Sequence, residues 1–214
     1  MRTRIAIGLV LAGAALVISS GCAAKPAATT PATTPAAGGA PAATTTPGAV
    51  KAQKPVPPET NPPGDIPDNQ VFVAYKSAGG VTVKFPEGWS RQGGATQILF
   101  TDKLNTIILS WTPAVSAPTV ASFKATDVPL LAKTQPAFEF KSLKAVTLPA
   151  GPALHAVYRI NSTPNAVTGK QYRLDVEQYV VWHNGVRADL KLLSPVGSDN
   201  VDPWRTVSES LSWK

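Results

Sequence analysis

The chain is poor in the side chains that carry chemistry. Its 214 residues contain one cysteine, Cys22, and two histidines, His155 and His183. Neither histidine belongs to an HExxH-type motif or has a Ser/Asp partner at an informative spacing, and no glycine stretch has the strand, helix and lysine context of a phosphate loop. Acidic residues are also scarce, with 13 Asp+Glu against 20 Lys+Arg and a net charge of +7. Yet no run of Lys/Arg occurs, and basic residues do not alternate with aromatics as a nucleic-acid groove requires. No nucleic-acid partner, metal or cofactor is expected, and no catalytic residue is assigned. The sequence also lacks a long apolar run: Ile5 to Ile18 is uncharged for 14 residues, short of the roughly 20 that cross a bilayer.

That short run sits in an informative setting. Arg2 and Arg4 precede it, and Ser19-Ser20-Gly21 place small side chains before Cys22. This is the layout of an export signal over residues 1–21. A cysteine directly after small residues resembles the bacterial lipobox, in which the thiol is acylated and becomes the new N-terminus. Ser19 stands where the lipobox prefers leucine, so an uncleaved anchor or an ordinary signal are the competing readings. With acylation at Cys22 the expectation is a protein held by lipid on the extracytoplasmic face of the cell membrane. Each buried methylene contributes about 0.8 kcal/mol, so two or more acyl chains make a stable anchor. The rest of the chain then has no thiol for a disulfide, a zinc site or a nucleophile.

Residues 22–63 change composition abruptly: 10 of 42 are Pro, 12 Ala and 8 Thr, with no aromatic. Such a segment buries too little apolar surface to offset chain entropy and is expected to be a disordered tether. Fully extended, it reaches on the order of 130 Å at about 3.1 Å per residue. A wall-spanning stalk and a plain spacer fit equally, and its Thr-Pro clusters permit O-glycosylation.

Residues 64–214 hold all five Trp, four Tyr and six Phe, enough for one compact domain with a single core. The segment carries 15 Lys+Arg against 12 Asp+Glu. Alternation predicts a hairpin from 71–76 and 80–85, with Trp89 folded over the sheet edge after Pro86. A second pair, "TQILF" and "NTIILSW", turns around Asp102 to Asn105. "PTVASFKATDV" predicts a helix capped by Thr119 and ended or kinked at Pro129. Strands over 138–148, 153–162, 171–183 and 186–193 form a meander. A closing helix follows, with Asp202 as N-cap and Pro203 at its first position.

For the "HNG" hairpin, a two-residue loop would set Trp182 opposite Arg187 and Val180 opposite Asp189, mixing apolar and charged faces. A three-residue loop with Gly185 as a bulge pairs Trp182 with Val186 and segregates the faces. That register is expected. It puts Arg173, Asp175, Glu177, Arg187, Asp189 and Lys191 on one charged face, either a solvated surface or a binding face. Asp175 and Glu177, two apart on it, form a weak cation site, a general-acid pair or part of an ion-pair lattice. His155 reads as a partly buried, hydrogen-bonded structural residue.

The order of "YKSAGGVTVKFPEGW", "ILFTDKLNTIILSW", a helix, long strands and "DPWRTVSESLSW" is similar to the PsbP-like family, named after an extrinsic subunit of photosystem II. The carriers are Phe85-Pro86-Glu87-Gly88-Trp89 and Phe100-Thr101-Asp102. The resemblance covers most of 70–214. It implies an α+β fold, an antiparallel sheet of about six strands with helices on both faces, and non-enzymatic assembly or docking roles. This chain has a lipobox and stalk in place of a plastid transit peptide, and no match to the manganese or calcium contacts of the photosynthetic subunit.

Two functions are therefore expected in competition. One is a membrane-anchored docking or assembly module for an envelope protein. The other is a carrier for a small apolar ligand or lipid, with Trp89, Trp111, Trp182 and Trp204 lining its cavity.

Overall fold

The computed structural model describes residues 50–213. Ten strands and three short α-helices build an α+β fold with two antiparallel sheets. The large sheet has seven strands in the order β3-β4-β5-β9-β8-β7-β6: β3 Ser90–Gly93, β4 Gln97–Asp102, β5 Asn105–Pro113, β6 Glu139–Leu148, β7 Gly151–Asn161, β8 Arg173–His183 and β9 Val186–Pro195. The small one joins β1 Phe72–Lys76, β2 Val81–Pro86 and β10 Ser212–Trp213 in the order β1-β2-β10. The expected first hairpin is present, with Tyr75 opposite Val83. The meander is also present, and β9 continues the sheet by pairing with β5. The eight strands expected from alternation are all present; β3 and β10, of four and two residues, are too brief for a period-two signal, and the large sheet has seven strands where the resemblance implies about six.

The large sheet is buried on both faces. On one, Ile98, Phe100, Ile107, Leu109, Trp111, Leu190 and Leu192 pack against the small sheet and α3 (Val201–Glu209), which contributes Trp204 and Val207. On the other, Leu154, Tyr158, Val176 and Val180 pack under the helical segment 120–134, chiefly against Phe123 and Leu131. These are called here the α3 face and the α2 face.

The helical segment differs from expectation at Pro129. Thr119 does cap α1 (Val120–Ser122), in a reciprocal capping box with Ser122. The chain then widens into a π-helical turn, Phe123–Asp127, before α2, Val128–Thr134. Pro129 has no N–H and crowds the preceding turn, and the π turn immediately before it absorbs the mismatch, so the segment continues for five more residues.

The cap of α3 is also different. Asn200, not Asp202, occupies the N-cap, and Pro203 lies in the third position of the helix. The Asn200 side chain does not cap the helix; it accepts from the Ile66 N–H at 2.8 Å and donates to the Gly64 carbonyl at 2.9 Å. Asn105 donates to the same carbonyl at 2.7 Å.

The tether was expected to run to residue 63, but residues 50–63 lie along the domain. The Val56 N–H donates to Asn161 Oδ1 at 3.1 Å, Asn161 Nδ2 donates to the Lys54 carbonyl at 2.9 Å, and Glu59 pairs with Lys170. Composition identified a segment with no core of its own, but not its hydrogen bonds to buried amides elsewhere.

The β8–β9 hairpin has the register that sequence reasoning set aside. Its loop is the two residues Asn184-Gly185, so Trp182 faces Arg187 and Val180 faces Asp189. Both loop residues have positive φ, 46° and 81°, as a type I′ turn demands. The segregated register rests on the premise that one whole face of the sheet is solvated, and here each face has its own apolar cover. The six charged residues therefore split: Arg173, Asp175 and Glu177 lie on the α3 face, Arg187, Asp189 and Lys191 on the α2 face. Glu177 lies opposite Leu192, not Lys191.

Gly185 tests this turn. A Cβ built there meets nothing within 4 Å, so Gly185→Ala carries only the conformational cost of positive φ. Urea unfolding should show a loss of roughly 1–2 kcal/mol, with the denaturant slope unchanged.

Candidate functional site

The structure separates the candidate residues instead of gathering them. Cys22 lies outside the described residues. Trp89, Trp111 and Trp204 are 9%, 7% and 4% exposed and belong to the core on the α3 face. Trp89 meets Trp204 edge-on, with ring centroids 6.4 Å apart. Trp111 packs under Gly79, where a Cβ would come within 2.3 Å of its Cδ1. Trp182 has the opposite strand parity and lies on the α2 face. Its Nε1–H donates to the Ala114 carbonyl at 2.8 Å, and its ring walls a cleft of about 270 Å³ with Pro118, Val120 and Leu154. The expected single cavity lined by four tryptophans is therefore absent: three of the rings fill one interlayer space, and the sheet separates them from the fourth.

Asp175 and Glu177 do share the α3 face, each with its own partner. Arg159 Nε donates to Asp175 Oδ1 at 2.7 Å across the β7–β8 pair. His155 Nε2 lies 2.9 Å from Glu177 Oε2, which also accepts from the Tyr179 hydroxyl at 2.8 Å. His155 and Tyr179 are cross-strand neighbours, with rings stacked at 4.3 Å and only 2° from parallel. The bond to His155, with that from Tyr179, holds the Glu177 carboxyl below its ordinary value against the opposing effect of burial. A cleft of about 320 Å³ opens over this group, walled by Lys144, Trp204 and Arg205. Each carboxylate thus has its own hydrogen-bond partner on β7.

A second polar network lies inside the α2 face. Arg187 donates to Asp189 through Nε and Nη2, both at 2.8 Å, and through Nη2 to Asp127 of the π turn at 2.5 Å. Gln178 donates to Asp189 at 2.7 Å and accepts from the Tyr158 hydroxyl at 3.1 Å. Lys191 faces the same cleft as Arg187, without a salt bridge among the described residues, and burial pushes its ammonium below the ordinary value. Sequence reasoning missed this network. The two-residue turn register would have placed Arg187 beside Val180 and Trp182, but no local signal ties Asp127 to Arg187.

A cleft of about 640 Å³ lies on the α2 face where the β4–β5 turn meets the β7–β8 loop. Leu99, Leu104, Ile160, Leu174 and Leu193 line it, with Lys103 and Lys170 among its polar residues. No group of three or more His, Cys, Asp or Glu among the described residues is placed to hold a metal ion. No described helix is long and apolar enough to cross a membrane.

The Glu177 pair has a pH signature. A carboxyl depressed in the folded state stabilises fully above its unfolded value, near 4.5, and loses that contribution as pH falls through the folded value. Glu177→Gln should therefore be less stable than wild type at neutral pH, and the gap should narrow on acidification below 4.5. Urea midpoints across the acid range read this directly.

No protein-family model matches the chain, and no curated protein sequence does. Solved structures do. The cyanobacterial PsbP of Synechocystis aligns at a TM-score of 0.48 and 13% identity, over 71% of this chain and 99% of its own. A Pseudomonas aeruginosa protein of unknown function aligns at 0.43 and 12%, over 67% and 97%. The Ran-binding protein Mog1p of Saccharomyces cerevisiae aligns at 0.39 and 11%, over 60% and 79%.

Proposed function

We propose that this protein is a lipid-anchored extracytoplasmic lipoprotein whose folded domain is a non-enzymatic docking or assembly module for an envelope partner. The observation that carries the reading is the state of the polar groups. His155, Glu177, Asp175, Arg187 and Asp189 are all tied into ion pairs or hydrogen bonds, including those that border the 320 Å³ cleft. Charged side chains held in a fixed lattice on a rigid sheet suit recognition better than proton transfer. Export and anchoring rest on the leader and on Cys22. Residues 22–49 serve as the tether.

If Cys22 carries the anchor, Cys22→Ser moves the protein from the membrane to the soluble fraction of cells. Extraction of the variant that still needs detergent would overturn the lipoprotein assignment.

A second reading has its own observation. The 640 Å³ cleft has an aliphatic floor and a volume in the range of small-molecule sites, which fits a carrier of a small apolar ligand or lipid. Native mass spectrometry of the mature chain incubated with lipid extract from its host separates the two. An added discrete mass supports the carrier, and a clean apo mass leaves docking in place.

A further inference from the structure

The described chain begins at Val50, beside two clefts whose charged lining residues are all lysines. The Val50 N–H donates to the Lys133 carbonyl at the end of α2, at 3.2 Å. The segment leading back to Cys22 therefore leaves the domain beside α2. A cleft of about 360 Å³ opens at that point and includes Lys51 and Lys133 in its wall. It shares Gln135 with the 640 Å³ cleft, whose wall includes Lys103 and Lys170. The two clefts are further joined by Asn161, which lines the larger one and donates to Gln53 in the wall of the smaller.

The lining of both clefts contains four lysines and no aspartate or glutamate. Lys170 is paired with Glu59. Lys51, Lys103 and Lys133 are exposed and form no side-chain ion pair or hydrogen bond among the described residues. Asp102, next to Lys103 in the β4–β5 turn, is exposed and lines neither cleft. The lysines come from segments far apart in sequence: the segment before β1, the β4–β5 turn and the α2 terminus. Folding brings them to the end from which the tether departs.

We infer that this end is a membrane-facing surface that seats anionic phospholipid headgroups of the bilayer holding the anchor. The inference rests on the proposed lipid anchoring. Tethering brings the domain near the bilayer, and the lysine cluster then selects which end turns toward it. Side chains on flexible stems around open clefts suit headgroups, which present phosphate at the surface without requiring an enclosed pocket. Attraction falls off within a Debye length, so the charge acts only where the tether lets this end approach. Each lysine at an anionic surface contributes roughly fivefold in partitioning, and three together bias the orientation about a hundredfold.

The test uses the full mature lipoprotein in two kinds of vesicle, phosphatidylcholine alone and phosphatidylcholine mixed with phosphatidylglycerol. Lysine acylation by a water-soluble reagent is read residue by residue by mass spectrometry. Lys51, Lys103 and Lys133 should react several-fold more slowly in the anionic vesicles, and added salt should restore their rates. Lys84 and Lys144, away from these clefts, should react equally in both. In Lys51→Gln/Lys103→Gln/Lys133→Gln, which alters only exposed side chains, Lys170, the remaining lysine of the clefts, should react at the same rate in both kinds of vesicle. Equal rates for the three lysines in both vesicle types would overturn the inference. Failure of the protein to stay with phosphatidylcholine vesicles at all would instead overturn the anchoring on which it rests.

Discussion

A seven-stranded sheet buried on both faces is the constraint from which the rest of this fold follows. Each strand presents alternate side chains to two dry layers, so each layer needs its own cover. The small sheet and α3 cover one, and the helical segment 120–134 covers the other. Charged residues on the central strands are then enclosed on whichever side they fall, and an enclosed charge requires partners. Arg187 finds Asp189 on its own strand and Asp127 on the covering helix. Glu177 finds His155 and Tyr179. The Arg187–Asp127 pair thereby ties the helical cover to the sheet, whereas the Glu177 pair links β7 and β8 within it.

The double cover also separates what was readable in the sequence from what was not. The first hairpin, the β4–β5 pair, the four-strand meander, the capped helix at Thr119 and the closing helix are local patterns, and all are present. The mixed antiparallel α+β class follows from them. Errors arose where a local choice depended on the far side of the sheet. The Asn184-Gly185 turn was set aside because it mixes faces, a penalty that vanishes once Asp127 waits above Arg187. At Pro129, termination and a kink were equally readable, because a π turn leaves no sequence signature as clear as proline itself. Asp202 was the obvious cap, but Asn200 was already engaged in holding the chain at Gly64 and Ile66.

The candidate site was less legible than the fold. Tryptophans at strand and helix positions share an apolar character whichever layer they enter, and only the topology assigns Trp182 to the opposite side from Trp89, Trp111 and Trp204. The parity of Asp175 and Glu177 did place them together, but their separate partners depend on the β7–β8 register. The lysine-walled clefts come from five separate segments of chain, and no window of sequence contains them.

Three asparagines, Asn105, Asn161 and Asn200, are almost wholly buried and hold the incoming chain between Lys54 and Ile66. Their mechanical meaning is distinct from their place in the fold. A pull on the chain from before residue 50 would reach these amide clamps before any strand, and Asn161 sits at the end of β7, one place in from the β6 edge of the large sheet. The load would enter through a strand with neighbours on both sides, so that an edge strand is not the first to peel.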